Sequence, residues 1–486
     1  MNHFRTRHAA TAFSPIGVLY CFLYAAGIVA INPFVITLNP AIDPHYIRGL
    51  TWTQPKMVVF ALIILTNLAA ILHYLRQTPT PRRPARQWFR SGGLWGIFLG
   101  IGTVSTLLSP VPLRSFTGHS VMGDGLLYWT GMALFVHTHA YLLLIRPRLA
   151  RYQLGGIVFG GLICAFALFP QLLDWRIDYT VTSGMQMNAH RLLSGIGKSQ
   201  MPIGLFSHRG NVGFVLAAVC SLLGVCIPRV DKRLKVVVIA GYFVCCLALI
   251  FTGTRGPMLA WVVGLLYLTG RLWRRPPLRR QVVVWGAGLY AVAYLVANLA
   301  IATGSFTVRQ KPMVSRSLDS FSSTRTTLFR MAGQAVGRRP LHGWGFDGFA
   351  ISFYHLVREG ALKDTTGEGA LEPGRRVRVN KFVTKTMNAD GQITTIYHAE
   401  AKAHNLLFDL AISVGLPGAI VYLVLLAYSW RVTDQGLFAA SGVVGVVYVA
   451  YTFTWFECAQ FSHIAWWALG AGLARGPRNR SRFAAL

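Results

Sequence analysis

Ala403-His404-Asn405-Leu406-Leu407-Phe408-Asp409-Leu410-Ala411-Ile412-Ser413-Val414-Gly415-Leu416-Pro417-Gly418 carries a polar loop into a hydrophobic segment through a histidine. The run reads as a transmembrane helix with His404 at its outer N-terminus. The positive end of a helix dipole disfavours a second positive charge, so an imidazole there tends to stay neutral and able to accept a proton. Asn405 and Asp409 share a helical face, and the spacing predicts an amide–carboxylate hydrogen bond that makes the acid tolerable in lipid. The same residues also suit a histidine snorkelling at the interface beside a self-satisfied polar pair.

Working outward, the chain of 486 residues is 53% hydrophobic and only 13% charged, which excludes a soluble multidomain enzyme and a disordered chain alike. Its mean hydropathy of +0.46 fits a polytopic membrane protein. The first apolar run, about 12–38, is too long for a signal-peptide core and stays as the first span. The cysteines, Cys21, Cys164, Cys220, Cys226, Cys245, Cys246 and Cys458, sit in or beside apolar segments without a CxxC pair, so they are assigned to packing.

Segments of bilayer-crossing length fall near 12–38, 57–75, 91–109, 124–145, 154–173, 211–228, 236–253, 257–270, 281–303, 404–430, 436–456 and 461–474. The fold class expected is therefore an all-α polytopic membrane protein of about twelve transmembrane helices. Residues 1–303 hold the first nine, 304–403 a large outer loop, and 404–486 the last three. Basic residues cluster on alternate loops, at Arg5 and Arg7, 76–90, 146–151, 229–235, 271–280 and 475–482, which places both termini in the cytoplasm.

The net charge is +31, and only about half of the 47 Lys and Arg residues fall on those cytoplasmic stretches. Arg48, Arg114, Arg176, Arg191, Lys198, Arg209 and Arg255 sit in short outer connections where they oppose the topology signal. They point to an anionic ligand on the outer face, with lipid headgroups as the simpler occupant.

Two outer turns stand out. Met201-Pro202-Ile203-Gly204-Leu205-Phe206-Ser207-His208-Arg209-Gly210-Asn211 precedes a hydrophobic run, and Thr252-Gly253-Thr254-Arg255-Gly256-Pro257 starts the next helix at its proline. In the second, backbone N–H groups and Arg255 point at one place, although the spacing and lysine of a P-loop are missing. In the outer loop, Leu328, Met331, Ala332, Ala335 and Val336 recur at helical spacing and predict an amphipathic helix on the membrane surface. Arg325 lies in its first turn, a local cost that a bound phosphate offsets, and Arg330 lies further along on another face. Arg338-Arg339-Pro340-Leu341-His342-Gly343-Trp344-Gly345-Phe346-Asp347-Gly348-Phe349 is a glycine-rich turn before a second helix near Phe349–Arg358. Val377–Met387 and Gln392–His398 alternate around Asp390-Gly391 and predict a β-hairpin.

Taken in order, Gly204–Asn211, Thr252–Gly256, Arg325 with Pro340-Leu341-His342-Gly343-Trp344-Gly345, and His404-Asn405 with Gly415-Leu416-Pro417-Gly418 resemble the O-antigen ligase and polymerase superfamily of bacterial membrane glycosyltransferases, the ligase most of all. These landmarks cover roughly the second half of the chain. Ser413 departs from the pattern, standing where members often carry glutamate, and Gly360–Glu400 looks like added loop.

The resemblance implies a helical membrane bundle in the bacterial inner membrane, capped by a large periplasmic loop. It implies transfer of a glycan from undecaprenyl diphosphate to a lipid A-core acceptor at the periplasmic face, with no cofactor, metal or nucleic acid and with membrane lipids as surroundings. Matched to family positions, His404 is the catalytic base, and Arg255 and Arg325 bind the diphosphate. Arg191 and Arg209 join them on charge and placement, and Asn405, Asp409, His342 and Arg330 are supporting residues. His137 and His139 do not share a helical face, and His342, His398 and His404 lack carboxylates at ligand spacing, so no metal site is expected. An O-antigen polymerase or a protein O-oligosaccharyltransferase uses the same donor and chemistry. A lipid-linked oligosaccharide flippase would instead place its ionisable groups near the bilayer midplane.

Overall fold

In the computed structural model the residues described are 14–33, 48–183, 186–193, 201–303, 323–358, 376–378, 383–387, 392–397, 402–434 and 441–474. Every predicted span contains a helix. These are α1 (Pro15–Val29), α2 (Gln54–Gln77, led by a π-turn at Gly49–Thr53), α3 (Arg86–Leu107), then after a short α4 (Pro112–Thr117) α5 (Leu126–Ile145) and α6 (Leu149–Leu168). They continue as α7 (Arg209–Cys226), α8 (Lys232–Phe251), α9 (Arg255–Arg271) and α10 (Pro276–Ala302). Two further helices, α11 (Ser323–Arg338) and α12 (Gly348–Arg358), precede α13 (Leu406–Asp434), α14 (Gly442–Thr452) and α15 (Ser462–Ala471).

Among the described residues, six helical segments are long and apolar enough to cross a bilayer: Gly49–Gln77, Leu149–Leu172, Arg209–Cys226, Lys232–Phe251, Pro276–Ala302 and Leu406–Thr433. The first helix is shorter than its apolar run, ending at Val29. Helices α14 and α15 have 11 and 10 residues. At 1.5 Å per residue they rise only about 15–17 Å, well short of a hydrocarbon core of about 30 Å.

Packing follows from side-chain size. Helix α7 is buried on every side along nearly its whole length, as expected of a helix that is apolar all round. Helix α6 meets α1 through Gly156 and Gly160, where a Cβ would lie 2.3 Å from the Cys21 carbonyl and 3.0 Å from that of Ala25. Small residues one turn apart let the two backbones touch. The amphipathic helix α11 is where the sequence puts it, but its stripe does not rest on a membrane surface. Leu328, Met331, Ala332 and Ala335 are buried against Trp344, Phe349, Ile351 and Ile412.

Two connections of this helical protein differ in detail from the sequence expectation. Residues 174–210, read as plain connection, hold an antiparallel hairpin, β1 (Arg176–Ser183) with β2 (Gln186–Leu193), in register from Arg176↔Leu193 to Ser183↔Gln186. The hairpin predicted between α12 and α13 is three strands, β3 (Arg376–Arg378), β4 (Val383–Met387) and β5 (Ile393–Tyr397), in the order β3-β4-β5. Its β4–β5 arm pairs Val383↔Tyr397 and Met387↔Ile393 as the alternation predicts, whereas Val377–Met387 is two antiparallel strands. Asp390-Gly391 and His398 lie outside the described residues.

Helix α13 is broken at Gly415 (φ 72°, ψ 173°), two residues before Pro417. A continuous helix would bond the Leu416 N–H to the Ile412 carbonyl, and Pro417 has no N–H for that of Ser413. The glycine-rich turn supplies the missing partners. Trp344 N–H donates to Ile412 O (2.8 Å), Gly345 N–H to Ser413 O (2.9 Å), and Leu416 N–H to Pro340 O (2.8 Å). The contact is backbone on backbone: a Cβ on Gly343 would lie 2.5 Å from Ser413 O, and one on Gly415 2.3 Å from Leu341 O.

Candidate functional site

Helix α13 starts at Leu406 because Asn405 caps it. Its Oδ1 accepts from the N–H groups of Leu407 (2.9 Å) and Phe408 (3.3 Å). The Asn405 Nδ2 donates to the Phe453 carbonyl (3.0 Å), tying the cap to the α14–α15 connection. The expected Asn405–Asp409 side-chain pair is therefore not made: the amide Nδ2 that would donate to the acid goes to Phe453, and the carboxylate turns back to accept from the Ala403 N–H (2.8 Å). Between them His404 adopts a left-handed conformation (φ 57°), uncommon for a side chain with a Cβ. Its ring meets Trp455 and Phe456 edge-on, at centroid distances of 4.8 and 5.2 Å.

Behind His404 lies a buried ion cluster. Lys402 donates to Asp124 Oδ2 and stands 3.6 Å from Asp347 Oδ1, while Arg114 Nε donates to Asp347 Oδ2 at 2.7 Å. Asp347 is fully buried and left-handed (φ 60°), in the same glycine-rich turn that clasps α13. Burial would discharge Lys402, but Asp124, Asp347 and Asp409 outweigh it and hold the ammonium charged above its ordinary range. Asp347 is raised by its burial against the pull of Lys402. Arg114 thus serves an aspartate here, where the sequence suggested an outer-face ligand.

In front of His404 the turns before α7 and α9 converge. Arg48 donates to the Ser207 carbonyl (3.4 Å). His208 caps α7, its Nδ1 accepting from the Gly210 N–H at 2.9 Å. Burial first, with Arg209, His404 and Arg48 nearby, pushes its imidazole down to about 4, so it is neutral near pH 7. The Trp455 indole lies 4.8 Å from the His208 ring and donates to Asn211 Oδ1 (3.3 Å).

Arg209 and Arg255 are the first residues of α7 and α9. The first turn of α9 is fitted into this group: Gly256 leaves room for Thr454, and Gly213 leaves room for Pro257. Gln460 binds the turns together, donating to Thr53 Oγ1 (2.8 Å), Ser207 Oγ (2.7 Å) and the Val121 carbonyl (3.1 Å), and accepting from Ser207 N–H (3.1 Å). Glu457 accepts from Tyr128 (3.1 Å) and from Tyr448 beneath the same connection.

Of the predicted site residues, His404, Asn405, Asp409, Arg209 and Arg255 lie at one end of the bundle. Arg325 is the third residue of α11 and Arg191 lies on β2, but the side chains of both fall outside what the structure describes. Phe329, one turn beyond Arg325, packs on Phe408 at 5.1 Å, which brings that part of α11 to the start of α13. Arg330 is exposed on α11. His342 does not join His404: its backbone adjoins Gly415, roughly 14 Å along α13 from Leu406 at 1.5 Å per residue. Lys198 lies outside the described residues.

Sequence reading missed Lys402, Asp124, Asp347, His208, Trp455, Glu457 and Gln460. The signal available was polarity out of place: Glu457 and Gln460 interrupt an otherwise apolar run. Among the described residues, no group of three or more His, Cys, Asp or Glu side chains is placed to hold a metal ion.

Residues 240–423 match the family model described as O-antigen ligase. Three of the four sequence landmarks fall inside that region, and Gly204–Asn211 precedes it. No curated protein matches the chain.

Proposed function

We propose that this chain, similar over residues 240–423 to O-antigen ligases, is a glycosyltransferase that moves O-antigen polysaccharide from undecaprenyl diphosphate to a lipid A-core acceptor. It works at the periplasmic face of the bacterial inner membrane, with both termini cytoplasmic. The observation that carries this reading is the meeting of the His404 ring with Trp455, whose indole also packs on His208, among the helix starts that bear Arg209 and Arg255.

The acceptor hydroxyl oxygen attacks the anomeric carbon while His404 takes its proton. The bond from that carbon to the diphosphate oxygen breaks, and its electron pair leaves with the lipid diphosphate. Displacement from the opposite face inverts the anomeric centre. Charge grows on the departing oxygen, so fixed guanidinium groups stabilise the transition state more than the ground state. Arg255 and Arg325, with Arg191 or Arg209 assisting, are assigned to that charge because a planar fork grips two phosphate oxygens and stays protonated.

A chromosomal deletion tests the reading, followed by electrophoresis of the cell's lipopolysaccharide. Loss of all long chains with lipid-linked polymer accumulating supports the ligase. A single capped repeat on the core indicates a polymerase instead, and an unchanged ladder overturns both.

A further inference from the structure

Helix α7 begins with an unusual cap. Asp, Ser, Asn and Thr serve best there, because a short side chain with one acceptor meets the need. Here the acceptor is Nδ1 of His208. A neutral imidazole has one acceptor and one donor nitrogen, so the cap bond leaves its proton on Nε2. The ring is held from the side as well, by the indole of Trp455 at 4.8 Å and an interplanar angle of 30°. That indole is itself pinned to Asn211, and it fits because residue 210 is glycine, where a Cβ would stand 3.0 Å from the indole. The same indole touches His404. Arg48 reaches the carbonyl of the residue just before His208, and Arg209 follows it.

We propose that His208 binds the donor's diphosphate, its Nε2–H donating to a phosphate oxygen beside the base, with Trp455 setting the separation of the two imidazoles. The inference rests on the transferase reading above. Guanidinium groups supply charge, and a fixed neutral N–H adds direction without adding repulsion to a cationic pocket. The neutral state of the ring near pH 7 agrees with this.

The test separates capping from binding. His208→Asn keeps an acceptor for the Gly210 N–H but ends short of the Nε2 position, whereas His208→Ala loses both. In purified full-length protein, His208→Asn is expected to melt within a few degrees of the parent. Its KM for the undecaprenyl diphosphate-linked donor should rise about tenfold or more, with competition by inorganic pyrophosphate weakened in parallel and kcat changed far less. A donor KM and pyrophosphate inhibition equal to the parent's in His208→Asn would overturn the proposal and leave His208 as a cap alone. His404→Gly and Arg255→Ala, run alongside, report on the underlying reading: if they too transfer glycan normally, that reading fails rather than the assignment of His208.

Discussion

Lys402 and Asp124, 278 positions apart in the chain, form a buried ion pair two residues ahead of His404. The cation also faces Asp347, so removing it leaves two buried carboxylates facing each other. Breaking a buried pair from one side costs about 3–5 kcal/mol, so Lys402→Met should lower the melting temperature sharply and abolish transfer. Adding Asp124→Leu, which leaves Asp347 with Arg114, should recover much of the stability. A Lys402→Met protein as stable as the parent would remove the cluster from the account of how His404 is held.

His404→Gly tests the base more cleanly than alanine does. The residue sits at φ 57°, a conformation glycine adopts without strain, so stability should hold or rise slightly. Turnover should fall about 10²- to 10⁴-fold while donor binding stays close to normal. Near-normal turnover would end the assignment.

Arg255 opens α9 beside the Thr454–Trp455 corner. Arg255→Ala should weaken both donor binding and rate, and Arg255→Lys should fail to restore them if two phosphate oxygens are held by one planar fork. Full rescue by lysine, measured as kcat/KM, would show that bare charge suffices.

Gly415→Ala places a Cβ at φ 72°, ψ 173°, an essentially glycine-only conformation, and 2.3 Å from the Leu341 carbonyl, where backbone strain alone costs about 1–3 kcal/mol. It should detach the glycine-rich turn, detectable as faster proteolysis between α10 and α13. Pro417→Ala should be close to neutral in melting temperature, because the Ser413 carbonyl already accepts from Gly345.

Burial pushes Glu457 up to about 7, against hydrogen bonds from Ser462, Tyr448 and Tyr128 that pull it down. A carboxyl raised on folding contributes its stability below the unfolded value and loses it as pH rises through the folded one. The parent's melting temperature, measured against that of Glu457→Gln, should therefore fall between about pH 4.5 and 7. A constant difference across that window would sink the assignment.

Long apolar runs made the helices legible, since hydropathy alone places a helix in each predicted segment. The break in α13 was not foreseen: residues 404–430 read as one continuous span, and nothing in residues 415–418 says that Pro340 and Trp344 complete a break there. Local spacing misled at Asn405 and Asp409, where a helical face predicted one bond and the amide N–H went to the Phe453 carbonyl instead. The ion cluster was unreadable because its members, Arg114, Asp124, Asp347 and Lys402, come from three distant stretches. The β1–β2 hairpin was legible but passed over: Arg176, Asp178 and Thr180 alternate with Ile177, Tyr179 and Val181, the period of a strand, in a stretch read only for its charges.

The clasp on α13 bears on how the protein is made. The turn at 340–345 precedes the broken helix in the chain, so it has already left the ribosome when residues 412–416 emerge. A helix inserted with two idle carbonyls would carry a penalty into lipid, and here the groups that relieve it are synthesised first. Order of translation thus serves as a folding aid, and a circularly permuted chain that delivers α13 ahead of its turn should insert poorly even with every residue intact.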